Sequence, residues 1–252
     1  MEKDQIHQKQ REWFEESFSQ DYVKIYSHRD NTEAGLAIEN LLAILDIPIN
    51  SQCLDLCCGF GRHLSLLNKK GIRTYGIDLS FNLLQIAKEY PQTEGKIILS
   101  DMRHLPFLNR FDFVFSFFSS FGYFEDDQEN LDVLREISTV LKPHGHFLID
   151  YFNPEYVRKN LISEDMAEFP EFTLMQKRRI EQEKNAVMKS IVIKDQEGER
   201  TYRECVKLYG PGDFDKFCRL VGLQIINIWG DCRGSQFSED SPRLIIYGQR
   251  CN

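Results

Sequence analysis

Residues Leu54-Asp55-Leu56-Cys57-Cys58-Gly59-Phe60-Gly61-Arg62-His63-Leu64 constrain the fold more than any other stretch of this chain. They read as a short apolar strand, a turn with two glycines and the opening of a helix. Amides at such a helix start lack intrahelical partners, so a polar or anionic ligand fits close against the turn. Glycine at 59 and 61 allows the tight approach, although a lone Gly-x-Gly pair is a weak signal.

The same rhythm repeats downstream. Residues 53–56, 74–77, 97–99, 111–117 and 147–150 read as strands, with helical patterns between them at 61–68, 79–90 and 128–141. Such alternation predicts a mostly parallel sheet covered by helices on both faces. Lys142-Pro143 stops the helix carrying Leu131, Leu134, Ile137 and Leu141. After Asn153-Pro154 the pattern changes to three strands at 172–180, 186–194 and 201–208, an antiparallel insertion. A helix over 211–221 and strands over 223–228 and 243–247 close the count.

The organisation expected is one domain over 1–252, with an N-terminal helical cap over 1–45 and a lid-like insertion over 155–210. In the cap, aromatic residues at helical spacing favour two packing helices broken around 27–32. The sharper alternative places Tyr22 or Tyr26 in a lid over a ligand.

With 39 acidic and 31 basic side chains the formal charge is -8, which disfavours nonspecific nucleic-acid binding and favours a small-molecule partner. The basic run Gln176-Lys177-Arg178-Arg179 is interrupted by Glu181 and Glu183 and reads as an exposed strand surface. Seven cysteines without metal-ligand spacing, an odd number, predict free thiols, a cytoplasmic setting and no metal. Cys57 and Cys58 read as small packing side chains beside the turn. The longest apolar run, 111–124, is broken by Asp112, serines and Gly122, so no membrane span is expected.

Asp78 ends the second strand, 17 residues after Gly61, where its carboxylate can accept hydrogen bonds from two ribose hydroxyls. Leu64 occupies the third glycine position of a dinucleotide fingerprint, which argues against a nicotinamide-dependent oxidoreductase, the reading from another enzyme class. No Gly-x-x-x-x-Gly-Lys-Ser/Thr loop is present, so ATP is a poor fit. Asp101-Met102 follows the third strand and offers a carboxylate and an apolar surface to an adenine ring.

Taken with Gly76-Ile77-Asp78-Leu79-Ser80, Phe111-Asp112-Phe113-Val114-Phe115 and Leu141-Lys142-Pro143-His144-Gly145, these segments resemble the class I S-adenosylmethionine-dependent methyltransferases over about residues 36–150. The resemblance implies a Rossmann-like seven-stranded sheet with one antiparallel strand and S-adenosylmethionine across the strand ends. It further implies that the turn from Cys57 through Gly59 to Gly61 meets the methionine portion. Asp78 would take the ribose, and Leu79, Asp101 and Met102 the adenine. His144 stands where the family usually has glycine.

The loop Ser119-Ser120-Phe121-Gly122-Tyr123-Phe124 is similar to a Ser-Phe-Gly-Tyr loop in a small-molecule-type or uncharacterised subgroup. Ser119, Phe121, Tyr123, Tyr209 and Arg233 are the acceptor-pocket candidates, with an aromatic loop packed on the insertion as the alternative for Phe121 and Tyr123. His144 and Asp150 are further polar groups expected around the strand ends, and no residue is assigned as general base. His63 reads as a surface or packing residue. The activity implied is methyl transfer to a nitrogen or oxygen of a small molecule. RNA or protein methylation and a noncatalytic S-adenosylmethionine-binding module are retained as alternatives.

Overall fold

The computed structural model describes residues 12–26 and 31–252. Most of the break expected around 27–32, and the start of the cap, lie outside those residues. The described cap consists of α1 (Trp13–Ser17), α2 (Asp21–Ile25) and α3 (Asn31–Ile44).

A seven-stranded sheet follows, built from β1 (Gln52–Leu56), β2 (Arg73–Asp78), β3 (Ile97–Leu99), β4 (Phe111–Ser116), β5 (Leu141–Phe152), β10 (Leu223–Trp229) and β11 (Arg243–Arg250). Its spatial order is β10-β11-β5-β4-β1-β2-β3, with only β11 running antiparallel to its neighbours. This is the Rossmann-like architecture expected. The order reverses beside β1, so the ends of β1, β2 and β4 frame the crevice where such sheets bind ligands.

Side-chain alternation explains the two covered faces. Leu54 and Leu56 of β1 join one core, with Val133, Leu134 and Ile137 of α6 (Asp127–Val140) and Phe214 of α8 (Pro211–Leu220). Cys53 points the other way, among Ile38 and Leu41 of α3 and Leu67 of α4 (Arg62–Lys69). Asp126 caps α6 by accepting from the Gln128 amide at 2.9 Å, and Asp127 and Glu129 oppose the positive end of that helix.

The remaining strands form a separate antiparallel sheet in the order β6-β7-β8-β9: β6 (Glu164–Glu168), β7 (Thr173–Glu181), β8 (Ala186–Asp195) and β9 (Gly198–Lys207). The three strands read from sequence are therefore four. The extra one, β6, has all five residues exposed and so lacks the apolar alternation that announces a strand. The helix α7 (Pro154–Asn160) was also not anticipated, although Asn153 caps it with proline at its first position.

Lys142-Pro143 does not separate helix from strand as simply as expected. Strand β5 starts at Leu141, and the register jumps from Phe111↔Leu141 to Phe113↔His146, so residues 142–145 bulge out opposite Asp112. His144 in that bulge adopts φ 60, the left-handed region that favours glycine.

Candidate active site

The turn after β1 is tied down before any ligand is considered. The Cys58 amide donates to the Ile77 carbonyl at 2.8 Å, joining the turn to β2, and Gly61 at φ 81 starts α4. Gly76 permits a further approach: a Cβ there would lie 2.7 Å from both Cys58 Sγ and Leu64 Cδ2. Leu64, too large for a dinucleotide fingerprint, thus packs over a glycine of the neighbouring strand. Close helix–sheet packing is kept with the small residue moved to the other side.

At the end of β2, the Asp78 carboxylate accepts from the Gly59 amide through Oδ2 and from the Ser80 amide through Oδ1, each at 2.8 Å. Each oxygen keeps acceptor capacity for a diol. Burial raises the Asp78 pKa to about 6, and these amides only partly oppose the shift. Asp55, one strand over and also buried, is pushed well above the usual carboxylate range by burial and then by the charge of Asp78.

Asp101 is more heavily committed than its sequence position suggests. The Arg103 backbone amide donates to its Oδ1 at 2.8 Å, and the guanidinium adds Nε contacts of 3.1 Å and an Nη2 contact of 2.6 Å. Burial pulls its pKa up, but the Arg103 hydrogen bonds outweigh that and hold it below the ordinary range. Arg103 also donates to Glu129 at 2.5 Å and lies 4.3 Å from the Phe124 ring centroid. Nothing in the strand-end pattern singled out this arginine.

These groups open on one cavity of about 380 Å³, which Cys57, Gly59, Asp78, Leu79, Asp101 and Met102 all line. Gly61 does not line it; it shapes the turn from behind, where a Cβ would sit 3.0 Å from Ala87 Cβ. Cys57 adopts φ 61, and its thiol contacts Met102 Sδ at 3.4 Å. Burial, and then Asp78, Asp55 and Asp101, push that thiol's pKa well up, so it stays protonated and is no nucleophile. Among the described residues no group of three or more His, Cys, Asp or Glu side chains is placed to hold a metal.

Opposite the strand ends, the cavity is walled by Phe14, Phe18 and Tyr22 of the cap with Ser120, Tyr123 and Phe124 of the β4–α6 loop. Phe18 stacks on Tyr123 at a centroid distance of 5.6 Å, and Trp13 Nε1 donates to the Tyr123 carbonyl at 3.2 Å. Ser80 Oγ donates to the Phe18 carbonyl at 2.6 Å, linking the cap directly to the Asp78 turn. Tyr22 therefore faces the cavity, where packing alone was favoured for it. Tyr26 is buried with Leu174 and Ile191 of the second sheet. Phe14 and Phe18 belong to the aromatic residues at helical spacing read as packing; that α1 and the turn after it bring them to the cavity is a tertiary fact.

Of the acceptor-pocket candidates, Tyr123 lines the cavity and four do not. Ser119 Oγ accepts from the Phe152 amide at 3.0 Å and from Arg243 at 3.2 Å, behind the loop. Phe121 is in the core against Tyr151, Tyr209 and Phe214. Tyr209 is buried, its hydroxyl donating to Asp127 at 2.6 Å and accepting from Asn130 at 3.1 Å. Arg233 is exposed on the loop after β10, next to Gly234, which packs near Ile44. Asp150 is paired with Arg243 at 2.6 Å, and His144 lies in the β5 bulge, among the Asp112 and Lys142 surface at the sheet's other end. His63 is buried and stacked on Phe117 at 4.5 Å, a packing position.

Residues 53–145 match the family model described as a methyltransferase domain. Over that segment the chain is similar to methyltransferases. Among curated proteins it is 30% identical over 122 residues to the dTDP-3-amino-3,4,6-trideoxy-alpha-D-glucopyranose N,N-dimethyltransferase of Streptomyces venezuelae, covering 48% of this chain and 51% of that one. The chain spans about half the length of the curated relatives it matches. The fold is shared with an S-adenosylmethionine-dependent methyltransferase from Clostridium acetobutylicum ATCC 824 (TM-score 0.76, 18% identity, 92% and 96% of the two chains). It is also shared with the CcbJ methyltransferase from Streptomyces caelestis (TM-score 0.78, 16% identity, 94% and 98%).

S-Adenosylmethionine, on which the Clostridium acetobutylicum methyltransferase depends, suits the donor set of this cavity. A buried carboxylate with spare acceptor capacity stands beside a glycine turn, and Met102 and Leu79 provide apolar surface next to it. No described helix is long and apolar enough to cross a membrane.

Proposed function

We propose that the chain transfers the methyl group of S-adenosylmethionine to a nitrogen or oxygen of a small molecule, in the cytoplasm. The observation that carries this reading is the convergence of Cys57, Gly59, Asp78, Leu79, Asp101 and Met102 on one cavity roofed by aromatic side chains. In this reading the Asp78 carboxylate accepts from the ribose hydroxyls. Leu79 and Met102 hold the adenine between apolar surfaces, and the Gly59 turn receives the methionine end. The cap and the antiparallel insertion behind it form the cover that keeps water from the reacting atoms.

The chemistry asks little of the protein beyond placement. The acceptor lone pair approaches the sulfonium methyl opposite the departing sulfur, and alignment in a dry site supplies much of the rate. Cys57, protonated and buried, takes no covalent part. The curated relative named above is described as an N,N-dimethyltransferase, which supports the nitrogen alternative.

Calorimetric titration tests the reading. The expected outcome is saturable S-adenosylhomocysteine binding and no binding of NADH. Asp78→Ala should weaken that binding by about 1–3 kcal/mol through loss of the ribose acceptor. Wild-type protein that binds only NADH, or neither ligand, sinks the proposal, and unchanged affinity in Asp78→Ala removes that residue from the ribose role.

A further inference from the structure

Asp101, Met102 and Phe124 stand on the cavity wall, and Arg103 stands behind them. Its side chain is 18% exposed and that of Asp101 20%, so the pair is largely dry. The guanidinium meets three groups at once. Along one edge it takes the Asp101 carboxylate side-on, with Nε 3.1 Å from each oxygen and Nη2 2.6 Å from Oδ2. Nη1 donates to Glu129, in the first turn of α6, at 2.5 Å, and the group lies 4.3 Å from the Phe124 ring centroid. The planar fork of arginine suits this two-oxygen contact, which a lysine ammonium does not reproduce.

Lone pairs show what is left for a ligand. An ionised carboxylate has about four acceptor sites. The Arg103 backbone amide occupies one on Oδ1 at 2.8 Å, Nη2 occupies one on Oδ2, and the Nε hydrogen is shared between both oxygens. About one site remains, on a carboxylate whose plane Arg103 has fixed. Such a site accepts an N–H and rejects a group that brings only a carbonyl oxygen. The loop itself does not depend on the Arg103 side chain. The His104 amide donates to the Asp101 carbonyl at 3.0 Å, and the Leu105 amide donates to Glu136 of α6 at 2.6 Å.

Resting on the methyltransferase reading, we infer that Arg103 is a positioning residue for the base of the cofactor. It turns the Asp101 carboxylate so that its remaining acceptor site meets an exocyclic amine, and it seats Phe124 in the wall nearby. Selection of a 6-aminopurine over a 6-oxopurine is then a property of Asp101 and Arg103 together, and not of Asp101 alone. Without the guanidinium the carboxylate rotates over a broad torsional range, and a hydrogen bond that prefers near-linear geometry weakens with it. Burial then also favours the uncharged acid, whose O–H donates to a carbonyl oxygen.

The test compares S-adenosylhomocysteine with S-inosylhomocysteine, which differs from it in the base alone, by calorimetric titration. Wild-type protein should prefer the adenosine compound by at least about tenfold, the size of one hydrogen bond to a charged acceptor. Methionine keeps the apolar contact with Phe124 but has no donor. Arg103→Met should therefore cut the preference to about threefold or less, while the adenosine compound still binds through its other contacts. Arg103→Lys should recover only part of the preference, and where Arg103→Met does not fold it decides the matter by falling at least about twofold below wild type. In an Asp101→Asn background, adding Arg103→Met should change the preference by less than about twofold, because the two residues act as one unit. A purely structural role would weaken both ligands by the same factor and leave their ratio alone. An unchanged ratio in Arg103→Met, an undiminished further loss in the Asp101→Asn background, or wild-type protein that binds both compounds alike overturns the inference and leaves the parent reading standing. Wild-type protein that binds neither overturns both.

Discussion

Asp78 and His63 are both buried at the strand ends, yet burial acts on them with opposite signs, and each gives a pH signature. The Asp78 pKa is raised to about 6, so in the ligand-free protein it stabilises the fold when protonated. That contribution is full below the unfolded value and is lost as pH rises through about 6. In the proposed reading ligand binding runs the other way, because ribose hydroxyls would donate to the ionised carboxylate. S-Adenosylhomocysteine affinity should fall about tenfold per pH unit below about 6, and Asp78→Asn should flatten the profile in a calorimetric pH series. A profile in Asp78→Asn that still falls like wild type would assign the titration elsewhere. For His63, burial first and the Arg62 charge second lower the pKa to about 3, and its Nε2 has no hydrogen-bond partner. The neutral ring therefore supports the fold above the unfolded pKa near 6.5, and that support is lost progressively as pH falls toward about 3. Replacing it in His63→Phe should keep the stack on Phe117 and shallow the loss of urea midpoint between about pH 7 and pH 4. A slope equal to wild type would show that other groups govern that limb. The place of Asp78 on the cavity was readable because it depends on local spacing. The burial of His63 was not, because it depends on Phe117 and Phe118 folding over α4.

Between β4 and α6, one short turn decides whether Ser120 and Tyr123 face the cavity. Phe118 and Ser119 adopt φ 57 and 62, two successive left-handed residues without glycine, each costing roughly 1–2 kcal/mol. The surrounding contacts hold them there. Asp150 Oδ2 accepts from the Phe118 amide at 3.0 Å, the Asp150 carbonyl from the Ser119 amide at 2.8 Å, and Arg243 reaches both Asp150 and Ser119 from β11. Gly122, at φ 83 and with Tyr151 Oη 2.9 Å from where a Cβ would stand, makes the next bend. Arg243→Gln should loosen this turn. Because Trp13 donates to the Tyr123 carbonyl, the change should shift Trp13 emission to the red and weaken S-adenosylhomocysteine binding about three- to tenfold, an estimate from one lost charged hydrogen bond. Arg243→Lys should recover part of both, and wild-type emission and affinity in Arg243→Gln would show that the turn stands without the clamp. The Ser-Phe-Gly-Tyr loop was legible as a special turn, but the sides its residues take were not. Alternation along a strand carries no information past a left-handed pair, so Phe121 ends in the core and Tyr123 in the cavity. The other elements follow the same logic: β1, β2, β4 and α6 announce themselves by periodic burial, whereas β6 is exposed throughout and has no period to detect.

At the scale of the molecule, the cavity is closed by a cap that owes its position to the second sheet. Strand β9, whose outer edge has no strand neighbour among the described residues, accepts from Ser17 Oγ at the Arg203 carbonyl (2.7 Å) and donates the Lys207 amide to the Gly122 carbonyl (2.8 Å). Asp21 of α2 accepts from Arg200 Nε at 2.6 Å and from the Tyr202 hydroxyl at 2.8 Å, while Arg200 also grips Asp195 at 2.6 Å. Tyr26 donates to Glu204 at 2.6 Å and accepts from Lys189 at 2.6 Å. The insertion was readable as antiparallel strands, but its grip on the cap was not, since these partners lie 163 to 186 residues apart in sequence. Arg200 is the joint of this clasp, and its effect can be separated from fold stability. Burial pulls the Asp21 pKa up, but Arg200 and Tyr202 hold it below the ordinary carboxylate range, and Arg200 likewise lowers that of Asp195. Stability from these pairings is thus present above the unfolded carboxylate pKa and lost only as pH falls through still lower values, so the clasp stays charged at neutral pH. Arg200→Gln leaves the Rossmann-like core untouched. It should therefore raise the dissociation rate of S-adenosylhomocysteine in stopped-flow Trp13 fluorescence several-fold, with an association rate changed by less than about twofold, because affinity differences between variants of one site lie mostly in the off-rate. Added salt should produce a smaller effect in the same direction in wild type, since the pairs are only partly buried and so partly screened. An off-rate indifferent to both the substitution and salt would mean that the aromatic contacts of Phe14, Phe18 and Trp13 close the site alone, with the second sheet serving only as their support.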